Sequence, residues 1–584
     1  MKRLMLGNEA AARGAYEAGC TVATAYPGTP STEITETIAA NYGNIYSEWS
    51  PNEKVALEVA IGASISGARA ICSMKHVGLN VAADPLFTVS YTGVNGGLVV
   101  VVADDPGMHS SQNEQDSRHY ARAAKIPMLE PSDSSEVKEF VKSAFELSEQ
   151  FDTPVIVRLS TRVAHSQSLV ELGEKVDFTL KEYDKNFRKY VMMPAMARER
   201  HVEVEKRMIL LKDFAETCRF NKIEWGSSRK IGVITSGIAY QYSREAFGDV
   251  SYLKLGMVYP LPEKLIREFA GSVETLYVVE ELDPFLEEQI KAMGIKVTGK
   301  DKLPITGELS GEIIRKCILG QETEKVDILK GEAIPGRPPV MCPGCPHRGV
   351  FYVLKKLNLR VNGDIGCYTL GALPPTQSID TCICMGASIG MAHGMEKARG
   401  REFAGKTIGI LGDSTFIHSG ITGLIDIAYN AGTSTIIVLD NSITGMTGHQ
   451  HNPTSGYNIK GEPAAKVNLE ALAHAIGINR VRIADPFNID EFEKTVREEI
   501  AVEEPSLIIA RRACALLKGV KYAGPLRINK EKCKYCRLCL RLGCPAIVNR
   551  GDHVEVDESL CAGCMLCTKV CRFDAYEKAG DHNE

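Results

Sequence analysis

The sequence predicts an α/β fold with several mostly parallel sheets, followed by a small cysteine-rich domain. Apolar strand-like runs alternate with helix-like runs of small residues through most of the 584-residue chain. This alternation is typical of strand–helix–strand units. Eight of the 18 cysteines then lie between Cys533 and Cys571. In a reducing compartment such a density indicates metal binding and not disulfides.

Composition excludes several classes of function. The net charge is −5 without a basic block, which argues against a nucleic-acid partner. No apolar run approaches the roughly 18 residues that a membrane span needs, and the first residues contain no continuous apolar signal segment. We therefore expect a cytoplasmic protein with ordinary globular domains.

Periodicity and composition divide the chain into six segments. They are an α/β domain at 1–165, a charged helical connector at 166–228, a second α/β domain at 229–320, a Pro/Gly hinge at 321–340, a third α/β domain at 341–520 and the cysteine-rich domain at 521–584.

Two strand ends in the third α/β domain carry oxygen-bearing side chains. The apolar run 407–411 ends in Gly412-Asp413-Ser414, and the run 435–439 ends in Asp440-Asn441. The intervening helical segment makes the two strands parallel neighbours, so Asp413 and Asn441 should share one edge of the sheet. Such oxygens suit Mg²⁺, and a helix start suits a diphosphate. The alternative is a plain strand–helix–strand unit whose loops carry Asp and Asn.

Two helix starts in the first domain have polar residues that local structure alone would explain. In the segment YPGTPS, Thr29 is expected to cap a helix and Pro30 to occupy its first turn. Glu53 opens the next small-residue helix, where a carboxylate interacts favourably with the helix dipole. Glu48 and Glu58 are the alternatives to Glu53 for any functional role.

A polar loop at 104–118 follows the most apolar strand of the first domain. A solvated loop is one interpretation, but the carboxyl end of a strand favours a functional loop. His109 and Arg118 are candidate substrate-binding residues. Lys75 and His76, after the preceding strand, are two more.

The tail contains two four-cysteine runs, C-x2-C-x2-C-x4-C-P and C-x2-C-x2-C-x3-C. Runs of this kind build two [4Fe–4S] clusters, and the fourth cysteine of each run ligates the other cluster. The predicted ligand sets are Cys533, Cys536, Cys539 and Cys571 for the first cluster, and Cys544, Cys561, Cys564 and Cys567 for the second. The first run has one extra residue, and Arg572 stands where a proline is usual. Zinc, the alternative, does not require this interleaved order.

Together these segments resemble the thiamine diphosphate-dependent 2-oxoacid:ferredoxin oxidoreductases. The segments that carry the resemblance are YPGTPS, DDPGMHSSQNEQDSR, CPGCPHR, GDS with LDNSITGMTG, and the tail. It covers the whole chain, as a pyrimidine-type domain, a transketolase C-terminal-like domain, a diphosphate domain and a ferredoxin-type domain. Within the superfamily, the chain resembles the large subunits that oxidise arylpyruvates such as indolepyruvate. Gly28 departs from the isoleucine of the superfamily motif.

The resemblance implies roles for particular residues. Thr29 would contact the substrate carboxylate, and Glu53 would hydrogen-bond the aminopyrimidine ring of thiamine. The residues implied for the diphosphate and Mg²⁺ are Gly412, Asp413, Ser414, Asn441 and the carbonyl of Ile443. A third cluster is implied at Cys342, Cys345, Cys367 and Cys514. Reduced thiols lining a loop, or a site lost in this branch, are the alternatives for these four.

The implied reaction is oxidative decarboxylation of an arylpyruvate to an acyl-CoA and CO2, with ferredoxin as electron acceptor. A separate small (beta) subunit carrying the gamma-type domain would complete a heterodimer or heterotetramer. Three alternatives stay open. They are another 2-oxoacid such as pyruvate, a decarboxylase with a vestigial tail, and an electron-transfer subunit whose thiamine domain is structural.

Overall fold

The computed structural model describes residues 1–322, 331, 333–334 and 336–579. The chain divides into two compact units, Met1–Gly331 and Glu332–Glu584. The predicted hinge at 321–340 falls partly outside the described residues.

The first unit contains thirteen strands and fourteen α-helices within its described residues. The strands are β1 (Lys2–Leu6), β2 (Val22–Ala25), β3 (Tyr46–Trp49), β4 (Ala70–Lys75), β5 (Leu98–Asp104), β6 (Met128–Leu129), β7 (Val155–Ser160), β8 (Gln167–Glu171), β9 (Asn221–Glu224), β10 (Ile231–Thr235), β11 (Ser251–Leu255), β12 (Met257–Tyr259) and β13 (Thr275–Val279). The helices are α1 (Gly7–Glu17), α2 (Thr32–Asn41), α3 (Glu53–Ile65), α4 (His76–Val81), α5 (Ala83–Thr92), α6 (Arg118–Ala124), α7 (Ser134–Phe151), α8 (Thr161–His165), α9 (Phe187–Tyr190), α10 (Pro194–Thr217), α11 (Gly237–Phe247), α12 (Glu263–Gly271), α13 (Phe285–Ala292) and α14 (Gly311–Ile314), with a π-helical turn at Arg315–Leu319.

A seven-stranded sheet forms the centre of the first unit, in the order β12-β6-β7-β5-β4-β2-β3. All its pairings are parallel except that between β12 and β6. Every residue of β5 is buried, as expected for a strand with helices on both faces of the sheet. The predicted α/β fold with a mostly parallel sheet is confirmed here.

The first two predicted α/β domains are more closely joined than the sequence indicated. Strand β12 lies within the predicted second domain yet pairs with β6 of the first sheet. The four-stranded sheet of the second domain, β13-β10-β11-β9, begins with β9 at Asn221, inside the predicted connector. The connector also contributes β8, which pairs antiparallel with β1. Charged composition concealed these elements, because edge strands and surface helices carry many polar residues.

The second unit contains nine strands and eight α-helices within its described residues. The strands are β14 (Arg360–Asn362), β15 (Thr407–Gly412), β16 (Thr435–Asp440), β17 (Arg480–Ala484), β18 (Ser506–Arg511), β19 (Leu526–Ile528), β20 (Ile547–Asn549), β21 (Val554–Val556) and β22 (Tyr576–Lys578). The helices are α15 (His347–Lys356), α16 (Ala387–Arg399), α17 (Arg401–Ala404), α18 (Asp413–Thr415), α19 (Ile421–Tyr429), α20 (Leu469–Ile476), α21 (Ile489–Ala501) and α22 (Leu566–Val570), with 3-10 turns at Cys367–Ala372 and Leu538–Leu542 and a π-helical turn at Phe416–Gly420.

The larger sheet of the second unit is parallel throughout, in the order β14-β15-β16-β18-β17. Its two central strands, β15 and β16, are buried along their whole length. Up to residue 579, the strands of the cysteine-rich tail form two short antiparallel pairs, β19 with β22 and β20 with β21. Regular structure is sparse in the tail because its loops are shaped around the cysteines.

Among the described residues, no helix combines the length and the apolar character that a bilayer crossing requires.

Candidate functional site

The predicted strand-end site forms at the carboxyl edge of β15 and β16. These strands are parallel neighbours, and Gly412 is in register with Leu439. Asp413 and Asn441 are each the first residue after their strand, and both are buried. One carboxylate oxygen of Asp413 accepts the Ser414 N–H at 2.7 Å. The side-chain oxygen of Asn441 accepts the Ile443 N–H at 3.2 Å. The two loops therefore close around the edge as the sequence predicted.

Electrostatics at this edge favours a bound cation. Burial and, after it, the nearby Asp440 carboxylate together raise the pKa of Asp413 to about 7. A divalent cation would stabilise the charged form of this carboxylate against both effects. A carboxylate, an amide oxygen and a backbone carbonyl are the hard oxygen donors that Mg²⁺ prefers. The residues at this edge therefore fit a magnesium–diphosphate group.

Thr454 also belongs to this site, and the sequence analysis missed it. Its hydroxyl donates to Asp413 Oδ2 at 2.8 Å, although the two residues are 41 positions apart. The Asn452 side-chain oxygen accepts the Thr454 N–H at 2.8 Å and so fixes the turn. Thr444 donates its hydroxyl to the Ser414 hydroxyl at 2.9 Å. The Asn-Pro dipeptide at 452–453 was the available signal, because Asn-Pro marks a turn.

In the first unit, Glu53 is the first residue of α3 and is 4% exposed. Asn52 caps the helix by accepting the Val55 N–H at 2.9 Å. A Cβ atom added at Gly78 would lie only 2.6 Å from Glu53 Oε1, so α4 approaches the carboxylate closely because residue 78 is glycine. The predicted helix start at Glu53 is confirmed.

The two alternatives to Glu53 have other surroundings. Glu48 accepts hydrogen bonds from the Tyr46 and Ser50 hydroxyls. Glu58 is exposed and pairs with Lys54 one turn earlier on the same helix. Of the three glutamates, Glu53 alone is buried. Its burial favours Glu53 for a catalytic role, because burial and helix starts are typical of functional carboxylates.

Thr29, Lys75 and Ser110 meet near the ends of β2, β4 and β5. Lys75 Nζ donates to the Ser110 carbonyl at 2.8 Å, and the Ser110 hydroxyl donates to the Thr29 carbonyl at 3.1 Å. Burial lowers the pKa of Lys75 to about 8, although the carboxylates of Asp105 and Glu53 act in the opposite direction. The structure thus places Lys75 near both Glu53 and Thr29. A poorly solvated ammonium in this position is suited to binding a carboxylate.

Thr29 does not cap a helix as the sequence indicated. Helix α2 begins at Thr32, and its N-cap residue is Ser31, whose hydroxyl donates to the Gly28 carbonyl at 2.8 Å. Thr29 and Pro30 lie in the loop before the helix. The capping interpretation of Thr29 was therefore wrong, and the reason for a threonine here is not the helix start.

The two predicted histidines lie in different surroundings. His76 begins α4, is fully buried and has its Nε2 3.0 Å from Asn113 Oδ1. His109 is about half exposed and pairs with Glu308, with Nε2 3.0 Å from Oε2. His76 is therefore held next to Lys75 in the converging strand ends, whereas His109 contacts a residue of the second predicted domain.

Arg118 is not placed where a substrate could reach it. Its side chain is 1% exposed, and it pairs with Asp116 and Glu280, each at 2.6 Å. Its guanidinium also lies 5.1 Å from the centre of the Phe285 ring. These contacts join the loop before α6 to the turn after β13. The expectation of substrate binding by Arg118 is replaced by a structural role in this buried network.

Glu281 lies two residues after β13 and belongs to the same network, because its backbone carbonyl accepts from Arg118 Nη2. It is 6% exposed, and its carboxylate accepts the Leu309 N–H at 3.1 Å. Burial raises the pKa of Glu281 to about 7, although the Leu309 hydrogen bond and Arg158 act in the opposite direction.

The tail cysteines surround two cavities. The first cavity encloses about 360 Å³ of empty volume and is lined by Cys533, Cys536, Cys539 and Cys571. The second encloses about 440 Å³ and is lined by Cys544, Cys561, Cys564 and Cys567. The fourth cysteine of each run thus lies in the cavity of the other run. These are the two groupings that the spacing predicted.

Local backbone conformation turns the thiols toward each cavity. Tyr535, Arg537 and Met565, which lie between cysteines, all have positive φ angles of 47–67°. The extra residue of the first run is taken up by the 3-10 turn and by Gly543 at φ 64°, which lead into Cys544. Such strained loops are retained where a functional group holds them. Four inward thiols around a void in a packed domain fit a [4Fe–4S] cluster.

The CPGC segment lies between the strand-end site and the second cavity. Burial and, after it, the nearby thiols of Cys514 and Cys342 together raise the pKa of Cys367 to about 11. Burial likewise raises the pKa of Cys345 to about 12, with Cys367 and Cys342 contributing. The Cys514 N–H donates to the Asn441 carbonyl at 3.0 Å. These four cysteines form a third group beside the carboxyl edge of β16.

Arg348 connects this third group to the tail. Its Nε donates to the Cys342 carbonyl at 3.1 Å and its Nη1 to the Leu542 carbonyl at 2.9 Å. Arg348 also lines the second cavity, together with Pro343 and Gly344 of the CPGC segment. The CPGC loop and the second cavity therefore share a wall.

Three family models match the chain. The first is "Pyruvate flavodoxin/ferredoxin oxidoreductase, thiamine diP-bdg", at residues 13–212. The second is "Thiamine pyrophosphate enzyme, C-terminal TPP binding domain", at residues 364–510, which include the strand-end site. The third is "4Fe-4S binding domain", at residues 554–577. These matches support thiamine diphosphate and iron–sulfur clusters as the cofactors of the chain.

Curated relatives match almost the entire chain. The indolepyruvate oxidoreductase subunit IorA of Pyrococcus abyssi is 43% identical, over 98% of this chain and 96% of its own. The subunit of the same name from Archaeoglobus fulgidus is 40% identical, over 99% and 98%. Among solved structures, a 2-oxoglutarate:ferredoxin oxidoreductase from Magnetococcus marinus is similar over 55% of this chain and 65% of its own, with 18% identity and a TM-score of 0.47. By its full-length relatives and its thiamine and iron–sulfur domains, the chain belongs to the IorA family of thiamine diphosphate-dependent 2-oxoacid:ferredoxin oxidoreductases.

Proposed function

We propose that the protein is the large subunit of an enzyme that oxidatively decarboxylates arylpyruvates, with indolepyruvate as a substrate. One 2-oxoacid, one CoA and two oxidised ferredoxins would give one acyl-CoA, one CO2, two reduced ferredoxins and one proton. The observation that carries the proposal is the coexistence in one unit of the Asp413–Asn441 edge and the two four-cysteine cavities. The choice of arylpyruvate follows the name shared by the full-length relatives.

Thiamine diphosphate, when bound, would supply the electron sink that decarboxylation of a 2-oxoacid needs. Asp413, Asn441 and the Ile443 carbonyl would hold its Mg²⁺, and Thr454 would orient the Asp413 carboxylate through their hydrogen bond. Gly412 and Ser414 would lie against the diphosphate.

In the first unit, Glu53 would hydrogen-bond the aminopyrimidine ring. Lys75 and Thr29 would bind the substrate carboxylate, with His76 beside them. The low pKa of Lys75 supports this role, because its ammonium is poorly solvated and gains from an anionic ligand.

Three clusters are proposed, one for each cysteine group. The third group lies beside Asn441, shares a wall with the second cavity through Arg348, and so precedes it in the electron path. Burial raises the pKa of Cys567, and the thiols around it, which include Cys539 of the first cavity, raise it too, so Cys567 and Cys539 lie near each other. Electrons would therefore pass from the third group to the second cavity and then to the first.

The proposed partners are a small beta subunit carrying the gamma-type domain, coenzyme A and ferredoxin. Assembly as a heterodimer or a heterotetramer is consistent with the subunit name of the relatives.

The test is an assay of the purified two-subunit enzyme with CoA, a viologen dye and either indolepyruvate or pyruvate. We expect CO2 release coupled to dye reduction, and a kcat/KM at least tenfold higher for indolepyruvate. Asp413→Asn should abolish turnover and thiamine diphosphate binding by calorimetry, whereas Asp426→Asn, at an exposed position on α19, should leave both unchanged.

Two results would contradict the proposal. CO2 release without dye reduction would indicate a decarboxylase with a vestigial tail. Clusters that are reduced by dithionite in an enzyme without any turnover would indicate an electron-transfer subunit.

A further inference from the structure

The rim of the first cysteine cavity presents a basic and partly aromatic surface. Lys534, Cys536, Arg537 and Phe573 all line the cavity and are all exposed. We call these four residues the basic rim. Cys536 is exposed, whereas the other seven tail cysteines are half-buried. The first cavity is therefore the one that opens to the surface at a cysteine.

Positive charge is concentrated in the segment that contains the first three cysteines of the first cavity. Between Arg527 and Arg541 there are six Lys and Arg residues and one acidic residue, Glu531, in a chain whose net charge is −5. Between Asp552 and Glu558, just before the cysteines of the second cavity, there are four acidic residues and neither Lys nor Arg. The two cavities thus lie next to segments of opposite charge.

The cations of the basic rim are available to a partner. Throughout the part of the chain that the structure describes, no carboxylate lies within ion-pair distance of Lys534 or Arg537. Lys534 donates to the backbone carbonyl of Glu531, and the Arg537 guanidinium lies 4.4 Å from the centre of the Tyr535 ring. Phe573, which is 40% exposed, lines the same cavity as the two cations and adds an apolar group to the rim. An exposed aromatic residue flanked by cations is typical of the centre of a binding surface.

We propose that the basic rim is the docking surface for a small acidic protein that carries single electrons. The partner would place its redox group against Cys536, where the cluster of the first cavity comes nearest to solvent. Opposite charge would steer the encounter and fix its orientation, and weak screening at low salt would strengthen it. The proposal rests on the proposed function, because it needs a cluster in the first cavity.

The test measures binding and does not depend on turnover. Full-length cluster-loaded protein is titrated with an acidic two-cluster ferredoxin by isothermal calorimetry, at low and at raised ionic strength. Three variants are compared with the wild type: Lys534→Glu, Phe573→Ala and, as a control, Lys494→Glu. Lys494 is 77% exposed on α21, a helix packed against β17 and β18. The cluster absorbance of each variant corrects for loading.

We expect the affinity to fall about tenfold with Lys534→Glu at low salt and to change less than twofold with Lys494→Glu. Raised salt should reduce the difference between wild type and Lys534→Glu, because the interaction is between exposed charges. Phe573→Ala should weaken binding at both salt concentrations. Equal affinities for Lys534→Glu and Lys494→Glu would overturn the proposal.

Dye reduction by the wild-type enzyme distinguishes failure of the docking proposal from failure of the proposed function. If the dye is reduced but the rim variants bind ferredoxin with the same affinity as the wild type, the docking proposal fails and the proposed function stands. If the dye is never reduced, the proposed function fails, and the calorimetry still reports whether the rim binds an acidic protein.

Discussion

Replacing Arg118 by leucine tests whether this residue is structural or binds substrate. The guanidinium is 1% exposed and pairs with Asp116 and Glu280 at 2.6 Å. Leucine would keep part of the volume but remove the cation of Glu280 and the nearer of the two cations of Asp116, which keeps Arg158 at 3.9 Å. Removal of one partner from a buried ion pair costs about 3–5 kcal/mol.

The expected shift in melting temperature follows from the size of the first unit. A unit of roughly 330 residues has an unfolding entropy of about 0.7 kcal/mol per kelvin. A loss of about 4 kcal/mol therefore lowers Tm by about 6 °C, measured by scanning calorimetry or circular dichroism. Arg162→Leu is the matched control, because Arg162 pairs with Glu308 while 55% exposed. An exposed pair contributes less than about 1 kcal/mol, so its Tm should fall by less than about 2 °C.

The outcome separates the two roles of Arg118. Equal Tm values for Arg118→Leu and Arg162→Leu would refute the structural argument. A normal Tm combined with a raised KM for the 2-oxoacid would restore the expectation that Arg118 contacts substrate.

Three further changes test other parts of the chain. Glu53→Gln should lower kcat at least a thousandfold while cluster absorbance stays intact, and unchanged activity would assign the role to another glutamate. Cys571→Ser should weaken the electron paramagnetic resonance signal of the first cluster and spare that of the second, whereas loss of both signals equally would argue against separate cavities. Because the pKa of Glu281 is raised to about 7, the folded state keeps a proton between about pH 4.5 and 7 that the unfolded state has lost. The stability that this proton contributes is lost as the pH rises through 7. Glu281→Gln should therefore raise Tm at pH 8 and change it little at pH 5, and thermal melts at both pH values check this sign.

Short-range sequence patterns were sufficient to predict the strand-end site and the cysteine groups of the tail. The β15–turn–helix–β16 order follows from apolar runs and turn residues that lie within about 35 positions of one another. Cysteine spacing likewise depends on short loops, so it predicted which thiols line each cavity. Glu53 was found because helix starts are marked by their own sequence.

Contacts between distant residues were not predictable in the same way. Arg118 pairs with Glu280, 162 positions away, and a single arginine in a polar loop carries no sign of that partner. Thr454 is 41 positions from the carboxylate that it orients. The connector at 166–228 was underestimated for a related reason, since β8 and β9 acquire their role only from the strands they pair with.

The interleaved cysteines also set the order in which the tail can mature. The first cavity takes three thiols from 533–539 and its fourth from Cys571, whereas the second is complete once Cys567 has been made. A ribosome must therefore have made Cys567 of the second run before either cavity has gained all four thiols. Iron delivered to a half-synthesised tail would meet at most three thiols of the first set. Cluster insertion is in this way confined to a tail whose two halves have already come together.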